Sequence, residues 1–337
     1  MGSWYYNEPS TLTPFSTLFF AFFQSHAQAF SMSLFFFIAA YFIPNSLERK
    51  GTKKFIADRL YRLGIPTLVF MLLLHPLCVK IAYPQVDVWD FWSKGVPRFE
   101  FIGWSGPLWF AFTLLIFSVV YALIHKYLPT LKEIRINVKN LTILIFSIAF
   151  IAFALRLVFP VGTSFKNLQF CYFSGYIFMF SAGILAKRNE LLDKIDARLG
   201  RKWLLVAFAI GVPLWIAVLV TGHVSEGSKI IDGGLNFPAF LYAFWEALFC
   251  VAFIVALLSI TKAKFNHQGR IMKFLSDNVF GVYVFHAPVL IEISVLTKGL
   301  ALSAVPKFFV IGLLAITCSF LVAWLVRQIP VVGKIFN

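Results

Sequence analysis

The chain has 337 residues, 60% of them hydrophobic and only 13% charged, against roughly 45–50% and 25% in an average soluble domain. One soluble core cannot hide that much apolar surface, whereas a bilayer solvates it, so a soluble globule is excluded. The net charge of +15 follows from where Lys and Arg fall between apolar segments, and no nucleic-acid partner is expected from it.

Windows of about 19 residues predict spanning helices near 15–42, 63–83, 108–128, 140–161, 169–186, 203–221, 238–260, 279–297 and 307–329. Backbone groups in lipid must be paired internally, so the expected fold is all-α, a polytopic transmembrane bundle of about nine helices. The apolar runs do not alternate with polar residues, as strands of a membrane barrel would. No polar stretch is long enough for a second domain, so 1–337 is expected to be a single integral membrane domain. Nothing at the start reads as a cleavable signal peptide. Cys78, Cys171, Cys250 and Cys318 stand singly in apolar segments, which suits small core residues and gives no metal or disulfide pattern.

Alternate connections carry 22 Lys and Arg on one side and 6 on the other. By the positive-inside rule the rich side is cytoplasmic, which places the N-terminus as given outside and the C-terminus inside, in the plasma membrane.

In chain order, the first span carries Gln24-Ser25-His26-Ala27-Gln28 halfway along. His26 there suits either an interhelical hydrogen bond or a cavity. Arg59 and Arg62, in Asp58-Arg59-Leu-Tyr-Arg62-Leu-Gly-Ile-Pro66, are expected at the cytoplasmic mouth of the second span, with Pro66 in its first turn. They serve either as positive-inside anchors or as a fork for phosphate oxygens. His75-Pro76 lies inside that span, and Trp109, in Gly106-Pro107-Leu108-Trp109-Phe110, opens the third as an interfacial anchor. Arg156 sits late in the fourth span, where snorkelling and a functional role are both open. Gln169 and Tyr172 open the fifth. Glu246 in the seventh span and Glu292 in the eighth complete the intramembrane ionisable set. His286, in Tyr283-Val-Phe-His286-Ala-Pro288, is expected about seven residues into the eighth span. It suits a hydrogen bond to another helix or proton transfer near neutral pH. Pro288 removes one helical bond beside it. No Ser-His-Asp order, zinc spacing or glycine-rich phosphate loop stands out.

Taken together, Leu34-Phe-Phe-Phe-Ile-Ala-Ala-Tyr41-Phe-Ile-Pro44, Arg49-Lys50-Gly51, the Asp58–Pro66 stretch, Pro107-Leu108-Trp109-Phe110, Arg156-Leu-Val-Phe-Pro160-Val-Gly162, Leu168-Gln169, Tyr172-Phe173, Tyr176, Gly183–Ala186 and Tyr283–Pro288 resemble acyltransferase family 3. That family includes O-antigen acetylases and glucan succinylation proteins. The motifs occur in family order over nearly the whole chain. The resemblance implies a bundle of about ten helices, an acyl-CoA donor used at the cytoplasmic face, no metal, and a hydroxyl acceptor on a carbohydrate or a lipid-linked molecule of the cell envelope. It assigns Arg59 and Arg62 to the donor and gives His286 a structural or catalytic supporting role. His26, Arg156, Gln169 and Trp109 are candidate cavity residues.

The family's usual catalytic histidine lies in a first helix, in an Arg/Lys-x10-His pattern that this sequence lacks. Trp4-Tyr5-Tyr6-Asn7-Glu8-Pro9 resembles what normally follows that helix, and His26 does not occupy the missing position. The chain is therefore expected to be a nine-helix remainder of a ten-helix acyltransferase. The alternatives are a transporter or flippase, for which no inverted repeat is evident, and an inactive truncated paralogue.

Overall fold

The computed structural model describes Tyr5, Tyr6, residues 12–128, 134–265, 268–330 and residue 333. Trp4, Asn7, Glu8 and Pro9 of the N-terminal motif lie outside the described residues. The fold is all-α. Among the described residues, nine helices are long and apolar enough to cross a membrane: α1 Pro14–Lys50, α2 Thr52–Ala82, α3 Gly106–Ile124, α4 Val138–Val158, α5 Phe170–Arg188, α6 Ala197–Thr221, α7 Phe237–Lys264, α8 Arg270–Leu296 and α9 Ala304–Arg327. Each meets one of the nine segments expected from hydropathy. The surface is turned inside out relative to a soluble protein: Phe309, Leu313, Ile316 and Leu321 of α9 are all exposed, as side chains solvated by lipid should be.

Helix starts differ most from expectation. α2 begins at Thr52 and α8 at Arg270, well before the apolar windows. Their first turns are too polar to score as membrane but are good helix formers, and a helix need not stop where hydrocarbon begins. Asn137 and Asn236 cap α4 and α7 by accepting the Asn140 and Ala239 N–H groups, each at 2.8 Å, and so satisfy otherwise orphaned donors.

α2 is not a uniform α-helix. π turns cover Leu60–Gly64 and Phe70–Leu74, closed by Ile65 N–H to Leu60 and His75 N–H to Phe70. Each is followed, one residue on, by a proline: Pro66 and Pro76. A proline in an ordinary helix lacks its N–H and presses its ring on the carbonyl four residues back. The widened turn relieves that clash, and the Thr67 hydroxyl donates to the Leu63 carbonyl at 2.7 Å.

Contacts divide the chain into two compact units, Met1–Phe22 with Ile56–Val119 and Gln268–Asn337, and Phe23–Phe55 with Val120–His267. In the first, α8 packs on α9 so closely that a Cβ on Gly281 would lie 2.9 Å from that of Ala323. Its core joins Tyr5, Phe70, Cys78, Leu108, Val284 and Ile291. In the second, α7 is the most enclosed helix. It packs on α4 and α6, and buried Trp245 donates from Nε1 to the Gly211 carbonyl at 2.9 Å.

Candidate functional site

Each unit holds its own cluster of polar side chains. In the first unit the organising residue is Tyr283. Its hydroxyl donates to the Pro107 carbonyl at 2.7 Å and accepts the Ala111 N–H at 3.2 Å. It thereby serves an orphan donor in the first turn of α3 and fixes the Pro107–Phe110 stretch, with Trp109 in it, to α8. Three residues along α8, His286 donates from Nδ1 to the Tyr283 carbonyl at 2.8 Å. A carbonyl can only accept, so Nδ1 carries the proton and, in the neutral ring, Nε2 holds the lone pair. Pro288 lies inside α8 and leaves the Val284 carbonyl without its usual donor. His286 is not near the start of its helix as the apolar window suggested. It lies sixteen residues past Arg270, about 24 Å along the axis.

A second histidine belongs to this unit. Tyr5 and His75 meet hydroxyl to Nδ1 at 2.9 Å. Burial pushes the Tyr5 phenol above its ordinary range, so it keeps its proton and meets His75 as a neutral hydroxyl, which can both donate and accept. Trp104 stacks on the His75 ring at 5.6 Å between centroids and Phe91 meets it edge-on. Gly106, with φ of 48°, lies against Phe70 and the Tyr5 hydroxyl where no Cβ would fit. Sequence reasoning noted His75 but not this setting. Its partners lie about 30 and 70 residues away, and the available signal was the His-Pro pair in an apolar run.

Arg59 and Arg62 lie within the polar first turns of α2, which begins at Thr52. Arg59 is half-buried and Arg62, in the first π turn, is exposed. Arg62 is thirteen residues from His75, about 20 Å along the axis, so the arginine pair and the histidine occupy different levels of α2. Glu292 of α8 is exposed.

The second unit holds His26, Arg156 and Gln169. His26 is buried in an aromatic box, edge-on to Trp215, Trp245 and Phe249 with centroids 4.7–5.3 Å away. Arg156 does not snorkel. It is fully buried and pairs through Nη2 with Glu246. The Tyr242 and Tyr172 rings lie over its guanidinium at 4.7 and 5.8 Å, within cation–π range. Gln169 precedes the turn Phe170–Tyr172, and it is Tyr172, three residues on, that reaches Arg156. A cavity of about 20 Å³ adjoins this pair, lined by Gln28, Ser33, Tyr172, Tyr176, Glu246 and Cys250 among others. That is room for one water-sized group. Glu246 could be foreseen as an ionisable residue in a span, but its pairing across 90 residues could not. Among the described residues no group of three or more His, Cys, Asp or Glu is placed to hold a metal ion.

Residues 2–324 match the sequence model of acyltransferase family 3, an acyltransferase domain. The chain belongs to acyltransferase family 3. Comparison with curated proteins returned no match, nor did comparison with solved structures. The family match runs through both units, and the motifs it spans include the Pro107–Phe110 and Tyr283–Pro288 stretches that Tyr283 joins.

Proposed function

We propose that this membrane protein transfers an acyl group, of acetyl or succinyl class, from acyl-CoA to a hydroxyl of a carbohydrate or other cell-envelope acceptor. The observation that carries the reading is the anchored His286: Nδ1 is committed to the Tyr283 carbonyl, which keeps Nε2 free to take a proton. In the reaction the acceptor oxygen attacks the thioester carbonyl, the C–O bond forms and the C–S bond breaks. Nε2 takes the hydroxyl proton and returns it to the departing thiolate. Arg59 and Arg62 bind the donor's phosphates, a task suited to guanidinium groups, which contact phosphate oxygens through paired N–H donors. The charge bias of the connections supports placing the Thr52 and Arg270 ends in the cytoplasm, where acyl-CoA is available. We read 1–337 as one domain, which the family match across both units supports.

The test uses the full chain in lipid nanodiscs with labelled acetyl-CoA. Thiol release that is lost in His286→Ala with coenzyme A binding retained supports the assignment of the base. Wild-type protein that neither binds coenzyme A nor releases thiol would sink the reading.

A further inference from the structure

The exposed side chains of α1 change character along one line. Phe35, Ile38, Phe42, Asn45 and Arg49 are all exposed, and their spacing of three and four residues puts them on a single helix face. The first three are apolar and stand in the spanning helix, where hydrocarbon is the natural neighbour. Arg49 lies seven residues beyond Phe42, about 10 Å further along the axis. That step leads from hydrocarbon into the headgroup layer.

The chain then turns at Gly51, whose φ of 71° favours glycine. The turn is pinned from within. Leu47 and Phe55 on either side of it are buried, the Gly51 N–H donates to the Leu47 carbonyl at 2.8 Å, and the Phe55 N–H donates to the Gly51 carbonyl at 3.0 Å. Its outer side carries Arg49, Lys53 and Lys54, all exposed. A Cβ at Gly51 would meet no atom within 4 Å, so the space beside the turn is open. Among the described residues no ion pair involves Arg49, Lys53 or Lys54. One acid, the exposed Glu48, stands next to them. The stripe and the turn belong to the same compact unit.

The positive-inside preference alone needs cations at this end but no particular neighbour for them. The aligned apolar stripe adds that neighbour. A soluble phosphate would satisfy the cations and leave Phe35, Ile38 and Phe42 out of account. A zwitterionic lipid would cover the stripe but bring its own ammonium to three cations. A lipid with apolar chains and a net negative headgroup meets both demands, since each Lys or Arg near the surface attracts such headgroups and its long stem reaches them.

We infer that Arg49, Lys53 and Lys54 hold the headgroup of an anionic glycerophospholipid whose acyl chain lies along Phe35, Ile38 and Phe42. The site does not rest on the acyl-transfer reading, and it leaves Arg59 and Arg62 to the donor.

The experiment adds phosphatidylglycerol and phosphatidylcholine of identical acyl chains to the purified full chain and reads lipid retention by native mass spectrometry. The wild type retains phosphatidylglycerol about tenfold more tightly. Arg49→Gln, Lys53→Gln and Lys54→Gln together remove that preference and leave phosphatidylcholine retention as it was. Glu48→Gln removes the neighbouring acid and strengthens phosphatidylglycerol retention severalfold, so the idea stays testable if the triple variant does not fold. Phe35→Ala with Phe42→Ala weakens retention of both lipids alike. Glycerol phosphate, a headgroup without chains, does not displace the bound lipid. Equal retention of the two lipids by the wild type, no change in any of these variants, or displacement by glycerol phosphate would overturn the site. So would a coenzyme A affinity that falls in step with phosphatidylglycerol in the triple variant, because the patch would then belong to the donor.

Discussion

The Tyr283 hydroxyl sits between two backbone groups of one α3 turn, 2.7 Å from the Pro107 carbonyl and 3.2 Å from the Ala111 nitrogen. One phenol thus joins the start of α3 to the middle of α8, and the same residue's carbonyl holds His286. Tyr283→Phe should leave two buried backbone groups unserved and cost roughly 1–3 kcal/mol. Thermal unfolding of the purified protein in nanodiscs measures this. An unchanged midpoint would mean that water replaces the hydroxyl.

The Arg156–Glu246 pair should behave as a buried ion pair. Arg156→Met or Glu246→Leu alone strands a charge and is expected to destabilise by about 3–5 kcal/mol, whereas the double replacement recovers most of the loss. A double-mutant cycle in thermal unfolding reads the coupling directly. Additive effects would show that the two side chains act separately.

Gly183 of α5 approaches the Phe37 backbone of α1 so closely that a Cβ would meet its carbonyl, with the Ala40 Cβ at 3.0 Å. Gly183→Ala is expected to force these helices apart at a cost of about 1–3 kcal/mol. The gain in helix propensity, about 1 kcal/mol, offsets only part of it. Stabilisation by the alanine would contradict this packing.

Arg59→Ala with Arg62→Ala should abolish coenzyme A binding by the full chain, measured calorimetrically, without changing the unfolding midpoint by more than a few degrees. Lysine at both positions should restore it only partly, because an ammonium cannot make the bidentate contact. Retained affinity in the alanine pair would move the donor site elsewhere.

The nine spans were legible because each carries a long apolar run, and hydropathy is a local property. Helix starts were not: the turns from Thr52 and Arg270 are helical but polar, so His286 was expected seven residues into its helix and lies sixteen past its first residue. The candidate arginines, His26 and His286 could be picked out by residue type alone. What could not be read was partnership. Tyr283 with Pro107, Tyr5 with His75, and Arg156 with Glu246 are separated by 70 to 176 residues, and nothing in a local window specifies such pairs. The buried state of Arg156 illustrates the difficulty, since a residue two positions from a helix end could as easily have reached for the interface.

The two π turns of α2 carry a geometric consequence. Each amounts to one residue inserted into an α-helix, and one residue is roughly 100° of rotation. Both insertions fall between Arg59 and His75, so the helical wheel slips by more than half a revolution over that stretch. A wheel drawn from Thr52 would assign His75, Cys78 and Ala82 to the wrong side, and any face-by-face reading of this helix must be restarted after Leu74. Deleting one residue from within Leu60–Gly64 would close that turn to an ordinary α turn, undo half of the slip and leave the His75 ring facing Tyr5.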